Sequence, residues 1–215
     1  MRPPESWKQA RLTLAIAALT VLAWAVPALF GYQVQLRVAL WGGFTPARVM
    51  GVGVPWEAAP LWLTPLTATL VHAGVIHLFF NMVMLLFCGR PVEAILGKGG
   101  FAILYLVGAY AAAAAHFLVD RQGVVPMVGA SGAISAVLGA YALLFGRNKV
   151  RVGTPAVAMF LHAMWLLAAW TIVQILVGLT FVVDGARIAV AAHIGGFLAG
   201  LALARPLLLL KWRGA

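Results

Sequence analysis

Val128-Gly129-Ala130-Ser131-Gly132-Ala133 is a run of small residues that lies just inside an apolar segment long enough to cross a bilayer. A second run, Ala191-Ala192-His193-Ile194-Gly195-Gly196, lies in the same way inside the last long apolar segment. Each run carries one residue that can take part in chemistry, Ser131 in the first and His193 in the second. At equal depth and on touching faces, these two form a candidate nucleophile and base in a place where water is scarce.

The composition around these runs is that of a polytopic membrane protein. Of the 215 residues, 64% are hydrophobic and only 9% are charged, whereas an ordinary soluble domain carries about 25% charged residues. The net charge of +10 would indicate a nucleic-acid partner in a soluble chain. Here the basic residues stand at the ends of apolar runs, which is the orientation signal of membrane proteins, so no nucleic-acid partner is expected.

The apolar segments predict an all-α bundle that forms a single membrane domain over residues 1–215. Each segment approaches or exceeds the ~20 residues that cross ~30 Å of hydrocarbon. We expect six spans, at about residues 11–30, 67–88, 100–119, 128–146, 155–183 and 188–210.

The basic residues beside these spans predict that both termini are cytoplasmic, because eleven fall on one side and four on the other. The eleven are Arg2, Lys8, Arg11, Arg90, Lys98, Arg147, Lys149, Arg151, Arg205, Lys211 and Arg213, and the four are Arg37, Arg48, Arg121 and Arg187.

Segment 31–66 is too apolar for a solvated loop and too rich in proline and glycine for a regular span. It contains Trp41, Trp56 and Trp62, and tryptophan favours the membrane interface. We therefore expect a compact structure that lies in the outer interface.

Depth and helix face bring the two runs together. At 1.5 Å per residue, Ser131 lies about 6 Å and His193 about 8 Å below the outer ends of their spans. Small side chains, which permit close helix approach, line one face of each span. These are Ser131, Ser135 and Gly139 on span 4, and Gly196, Gly200 and Ala204 on span 6. Docking the two faces places the imidazole beside the hydroxyl, although packing alone is the alternative reading of such stripes.

Span 2 supplies a third group, because His77 and Asn81 are four residues apart and share a helix face. A helix that starts near Gly74 puts both in the outer half of the membrane, and one that starts near Leu66 puts them near the middle. Hydropathy leaves both starts open, and a structural hydrogen-bonded pair is the alternative to a functional one.

The other histidines are weaker candidates. His162 is expected near the cytoplasmic side, and His116 lacks a small-residue face toward Ser131. A metal site from His72, His77 and His193 is conceivable, but no carboxylate or cysteine is near in sequence to complete it, so no metal is expected.

These residues can perform nucleophilic catalysis. A serine hydroxyl becomes a good nucleophile when a neighbouring base such as His193 takes its proton. None of the acidic residues is predicted at the depth of His193, so the site is a Ser-His dyad. The acidic residues are Glu5, Glu57, Glu93, Asp120 and Asp184.

An oxyanion formed at Ser131 needs hydrogen-bond donors. The backbone N–H of Ser131 lies in the first turn of its helix, where such groups lack intrahelical partners. His77 and Asn81 offer side-chain donors, while Gly129 and Gly132 allow a substrate backbone to come close.

Taken together, these motifs resemble those of the rhomboid family of intramembrane serine proteases. The likeness covers roughly residues 60–204. Gly129-Ala130-Ser131-Gly132 is similar to the family's GxSG motif, and His193 with Gly196, Gly200 and Ala204 is similar to its HxxGxxxGxxxA helix. His77 and Asn81 match its His-xxx-Asn pair, and His72 matches a further histidine before it.

The resemblance implies a six-helix bundle with a short central span 4 and a water-filled cavity above Ser131. It implies that segment 31–66 is a membrane-embedded first loop and that span 5 is a lateral gate faced by Phe80. It favours the later start of span 2. It implies transmembrane protein substrates in the lipid bilayer, no cofactor and, in a minimal form such as this, the bacterial inner membrane with a site open to the periplasmic side.

Two departures from the family pattern concern the loop and the base. Trp62 is followed by Leu63 where many relatives have a Trp-Arg pair, so a different polar network is expected in the loop. Ser135 stands where many relatives have an aromatic residue that supports the histidine, so the ring of His193 must be held in another way, for example by a hydroxyl.

Two other functions are compatible with a membrane bundle of this kind. One is a non-catalytic rhomboid-like protein that binds and escorts membrane clients, although such relatives typically lack the serine or the histidine. The other is a small transporter or channel, although the charged residues show no path through the inner half of the membrane apart from His162.

Overall fold

The computed structural model describes residues 10–146, 154–180, 182–183, 186–187 and 189–212. Seven α-helices account for most of them: α1 (Arg11–Leu29), α2 (Tyr32–Gly42), α3 (Thr64–Thr67), α4 (Val75–Val119), α5 (Ser131–Phe145), α6 (Pro155–Thr180) and α7 (Val190–Lys211). Between α6 and α7, strand β1 (Val182–Val183) pairs antiparallel with β2 (Ala186–Arg187). The predicted fold class, an all-α membrane bundle, is confirmed.

Several residues used to predict orientation are not among those described. They are Arg2, Lys8, Arg147, Lys149, Arg151 and Arg213, and the acidic residues Glu5 and Asp184 also lie outside the described ranges.

Four of the described helices, α1, α4, α6 and α7, are long and apolar enough to cross a membrane. Helix α4 has 45 residues and turns sharply at Gly97, where φ is 73° and ψ is 169°. The two parts, 75–96 and 98–119, are each about 33 Å long, so each can cross the bilayer once. At the turn, Lys211 Nζ donates to the carbonyls of Ala94 and Ile95 at 3.1 and 2.9 Å, which satisfies acceptors that the helix leaves free.

Helix α4 begins eight residues after residue 67, the outer bound expected for span 2. Residues from 67 were expected in span 2, whereas the chain here forms α3 and a 3₁₀ turn, Ala68–Leu70. Val71 and Gly74 are extended, which stops a helix from continuing through them. The Thr67 hydroxyl donates to the carbonyl of Gly42 at 2.6 Å and ties this segment to α2. Of the two starts considered above, the structure has the later one, at Val75.

Helices α4, α5 and α7 pack together around the centre of the molecule, and glycines set their spacing. A Cβ at Gly196 would collide with the backbone carbonyl of Gly132, and one at Gly200 would collide with that of Ala136. A Cβ at Gly139 would in turn meet the carbonyl of Phe197. The faces predicted from the small-residue stripes are therefore in backbone-to-backbone contact.

A buried carboxylate joins α1 to α4. Glu93 is 1% exposed and accepts hydrogen bonds from the backbone N–H groups of Leu12 and Thr13 at 2.9 and 2.7 Å. It also accepts one from the Thr13 hydroxyl at 2.7 Å. Ala10, which precedes α1, has no side chain that can cap the helix, so Glu93 supplies the cap from 80 residues away.

Segment 31–66 folds into α2 and short 3₁₀ turns that lie against the loop leading to α5. Phe44 and Met127 exchange two backbone hydrogen bonds of 3.0 and 2.8 Å. Arg48 Nη2 donates to the carbonyl of Ala59 at 2.9 Å, and Ala59 N donates to that of Trp41 at 2.8 Å. Arg48 thus supplies a side-chain hydrogen bond within the loop, where no arginine follows Trp62. Its place in the membrane interface stays a prediction.

Candidate active site

Ser131 is the first residue of α5, and the chain before it explains why the helix begins there. Gly129 has φ 117°, in the region that favours glycine, and its N–H donates to the carbonyl of Ala68 at 2.9 Å. The first intrahelical bond runs from Ile134 N to the carbonyl of Ala130. The backbone N–H groups of Ser131 and Gly132 therefore have no partner within the helix and lie at its positive end.

His193 lies in the first turn of α7, and its Nε2 is 2.7 Å from Ser131 Oγ. The close approach of α5 and α7 at Gly196 brings these two first turns together. Both side chains are half-buried. The structure thus brings together the two residues on which the sequence interpretation depends, at hydrogen-bond distance.

The second ring nitrogen of His193 contacts a residue that the sequence analysis missed. Nδ1 is 2.7 Å from Oε1 of Gln174, which lies on α6 and is only 5% exposed. One turn earlier, Trp170 Nε1 donates to the backbone carbonyl of His193 at 3.4 Å, and its ring stacks on Phe197. The sequence feature that could have identified Gln174 is an amide side chain within the largely apolar, 26-residue helix α6.

The Ser135 hydroxyl does not hydrogen-bond the ring of His193, which is the support that the sequence suggested. Both nitrogens of His193 have other partners, Ser131 and Gln174. The Ser135 side chain is buried, with its Cβ 3.3 Å from the position that a Cβ at Gly196 would take. It therefore serves the packing of α5 on α7.

His77 lies on the other side of the serine. The position that a Cβ at Gly129 would take is 2.7 Å from the His77 ring atoms Cε1 and Nε2, and 3.6 Å from Ser131 Oγ. The ring and the hydroxyl therefore face the same small space above Gly129. One amide N–H of Asn81 donates to the carbonyl of His77 at 2.8 Å, and the amide carries a second N–H.

His72 and Phe80 flank this group. The ring of His72 lies edge-on to that of His77, with 5.0 Å between centroids, and its Nε2 accepts a 3.4 Å bond from Ala130 N. Phe80 is 60% exposed and forms a T-shaped pair with Phe79.

His162 is far from the group. It is buried near Gly146, at the opposite end of α5 from Ser131, about 22 Å away along the helix. Within the residues that the structure describes, no three histidine, cysteine or acidic side chains are grouped as a metal site would require.

The arrangement has a definite chemical capacity. A neutral imidazole carries one N–H. When Nδ1 holds it and donates to Gln174, the lone pair of Nε2 faces Ser131 and can take the hydroxyl proton. The Ser131 backbone N–H and the His77 ring lie near the same hydroxyl.

Comparison with known proteins shows the family to which this chain belongs. Residues 60–210 match the family model of the rhomboid domain. The chain belongs to the rhomboid family. All the residues of the group described above, from His72 to Gly200, fall inside this rhomboid domain, whereas α1 and α2 precede it. The chain is thus a multi-pass integral membrane protein.

Curated relatives include bacterial and plant members of the family. Rhomboid protease GluP of Bacillus subtilis is 34% identical over 68% of this chain and 26% of its own length. Rhomboid protease GlpG of Pectobacterium atrosepticum is 27% identical over 92% of this chain and 63% of its own. RHOMBOID-like protein 5 of Arabidopsis thaliana is 32% identical over 78% of this chain and 48% of its own length. The chain therefore spans between about a quarter and two thirds of the length of these relatives.

Proposed function

We propose that this rhomboid-family protein is an intramembrane serine endopeptidase that hydrolyses peptide bonds in or near transmembrane segments of membrane proteins. The observation that carries the proposal is the 2.7 Å contact between Ser131 Oγ and His193 Nε2 at the start of two apolar helices. Two relatives that are named as rhomboid proteases support the same activity.

In this mechanism the Ser131 oxygen attacks the carbonyl carbon of the scissile bond while His193 Nε2 takes the hydroxyl proton. The tetrahedral intermediate carries its negative charge on the former carbonyl oxygen. His193 then gives the proton to the leaving amine, and an acyl-enzyme remains. A water molecule, deprotonated by His193, hydrolyses the ester and restores the hydroxyl.

We expect three groups to stabilise the oxyanion. The backbone N–H of Ser131 lies at the positive end of α5. The His77 ring lies against Gly129, and Asn81 has an amide N–H beyond the one that it donates to His77. Removing one such donor typically costs about 10²- to 10³-fold in rate.

We propose that substrates reach the site between α4 and α6, with Phe80 as the gate. Helix α6 packs against α7 and α5. Only 6% of its most apolar 18-residue stretch is buried inside the protein, whereas the corresponding share is 33% for α4 and for α7. The exposed rings of Phe79 and Phe80 lie on α4, in the first two turns and near His77. The apolar surface of a transmembrane substrate helix can pack against these exposed rings.

We also propose that both termini are cytoplasmic, so that the site opens to the periplasmic or extracellular side of a bacterial inner membrane. The excess of basic residues at one set of span ends supports this orientation.

A covalent probe tests the nucleophile without knowledge of a substrate. A serine-directed fluorophosphonate is expected to label the purified protein on Ser131, located by mass spectrometry of the labelled peptide. Ser135→Ala, which removes another serine of the same helix, keeps the label, and Ser131→Ala loses it. Absence of label from the wild-type protein would speak against the proposed activity.

The second candidate is a non-catalytic member that binds and escorts membrane clients. It is kept because some relatives, including the Arabidopsis protein, are named rhomboid-like without the word protease. It predicts that Ser131→Ala leaves client binding unchanged and that no client is cleaved by the wild-type protein.

A further inference from the structure

We propose that Gln174 is a positioning residue that fixes the tautomer and the orientation of His193, a role that rests on the proteolytic function proposed above. Its Oε1 is 2.7 Å from Nδ1 of the ring, and the side chain is only 5% exposed. Burial of a primary amide is costly unless its polar atoms are bonded. The contact with His193 is such a bond.

The direction of this hydrogen bond decides whether His193 can act as a base. The oxygen of an amide only accepts, and its nitrogen only donates. With Oε1 toward Nδ1, the ring holds its proton on Nδ1, and the lone pair of Nε2 faces Ser131. The opposite orientation of the amide would put the proton on Nε2, which then could not take the serine proton.

Gln174 also suits a base that works at low dielectric. The amide is neutral, so it orients the ring without a buried negative charge. When His193 takes the serine proton, the bond from Nδ1–H to Oε1 becomes charge-assisted and strengthens. The interaction is therefore stronger when the ring is protonated than before.

Gln174 and Trp170 make the alignment of the base depend on α6. They are four residues apart and share a helix face. One contacts the ring of His193 and the other its backbone carbonyl, at 3.4 Å. Helix α6 is the least buried of the long helices, so the ring is oriented by a helix that lies at the edge of the bundle.

Kinetics with a model transmembrane substrate test the role in catalysis. Gln174→Met keeps the length of the side chain but removes the acceptor. We expect kcat to fall about 10- to 100-fold, the loss typical when the hydrogen-bond partner that orients a metal-ligating histidine is removed. KM is expected to stay within about twofold, because uniform substrate binding is untouched. Gln174→Glu, which restores an acceptor oxygen but adds a buried negative charge, is expected to recover part of the loss.

The matched control is Ile175→Met, on the adjacent residue of α6, whose side chain is 47% exposed. It introduces the same side chain on the same helix without touching His193, and its kcat is expected to equal that of the wild type. The proposal would be overturned if Gln174→Met had the wild-type kcat, or if it raised KM and left kcat unchanged.

Nitrogen NMR of ¹⁵N-histidine-labelled protein tests the tautomer directly and needs no substrate. The signals of His193 are identified by their loss in His193→Ala. We expect the proton on Nδ1 in the wild type and a mixture of tautomers in Gln174→Met. A wild-type ring protonated on Nε2 overturns the proposal, even if Gln174→Met fails to fold.

The two measurements separate this inference from the proposed function. If Ser131-dependent cleavage is found but the tautomer does not respond to Gln174→Met, the role of Gln174 is wrong and the protease stands. If the tautomer responds but no substrate is cleaved, Gln174 orients the ring and the proteolytic function is wrong.

Discussion

Gly196→Ala should separate the serine from the histidine without removing either. The new Cβ would collide with the backbone carbonyl of Gly132 and come within 3.3 Å of Ser135 Cβ. Because the colliding oxygen belongs to the backbone, no side-chain rotation can relieve the contact. The first turns of α5 and α7 must move apart by about 1 Å to reach van der Waals distance.

That displacement lengthens the Ser131–His193 contact from 2.7 Å to beyond the limit of a hydrogen bond. A misplacement of about 1 Å at a reacting group costs on the order of 10²-fold in rate. Overpacking also destabilises the fold, by about 1–3 kcal/mol. We therefore expect fluorophosphonate labelling to slow about 100-fold while the protein remains folded at 25 °C.

The labelling rate is compared in detergent or bicelles for the wild type, Gly196→Ala and Gly99→Ala, with thermal unfolding of each as a check. Gly99 is an exposed helical glycine with nothing within 4 Å of its Cβ position, so its substitution should leave labelling unchanged. Labelling of Gly196→Ala at the wild-type rate would refute the reasoning that close glycine packing aligns the pair.

Two further predictions concern the cap and the loop before the serine. Glu93→Ala leaves two buried N–H donors without an acceptor and should lower the free energy of unfolding by about 3 kcal/mol, with Glu93→Gln losing less; equal unfolding midpoints for wild type and Glu93→Ala would contradict the capping role. Gly129→Ala combines a strained positive φ with a Cβ 2.7 Å from the His77 ring, and should reduce substrate cleavage about 100-fold through the displaced donor. Unchanged cleavage by Gly129→Ala would show that the His77 ring does not serve the oxyanion.

Much of the architecture followed from physical regularities in the sequence. The apolar composition predicted the all-α membrane fold, which is confirmed. The stripes of small residues predicted the faces on which α5 and α7 meet, because only glycine permits the backbone contacts seen at Gly139, Gly196 and Gly200. The catalytic roles of Ser131, His193, His77 and Asn81 stay predictions.

The features that escaped the sequence depend on hydrogen bonds between distant segments. Hydropathy measures transfer from water and does not detect where threonine hydroxyls and extended residues end a helix. It therefore left the start of span 2 open, and the bound at 67 lies eight residues before Val75, where α4 begins. Nothing in the sequence around Glu93 indicates that it caps α1, because the helix it caps lies 80 residues away. An isolated amide in an apolar helix carries no motif, so the sequence does not single out Gln174.

The central claim is that Ser131 is the nucleophile of an intramembrane peptidase. It is tested most directly by incubating a model transmembrane substrate with the wild-type protein and with Ser131→Ala in proteoliposomes, and by locating cut sites with mass spectrometry. The account predicts cleavage in or near the transmembrane segment by the wild type and none by Ser131→Ala. Equal cleavage by the two proteins would contradict it.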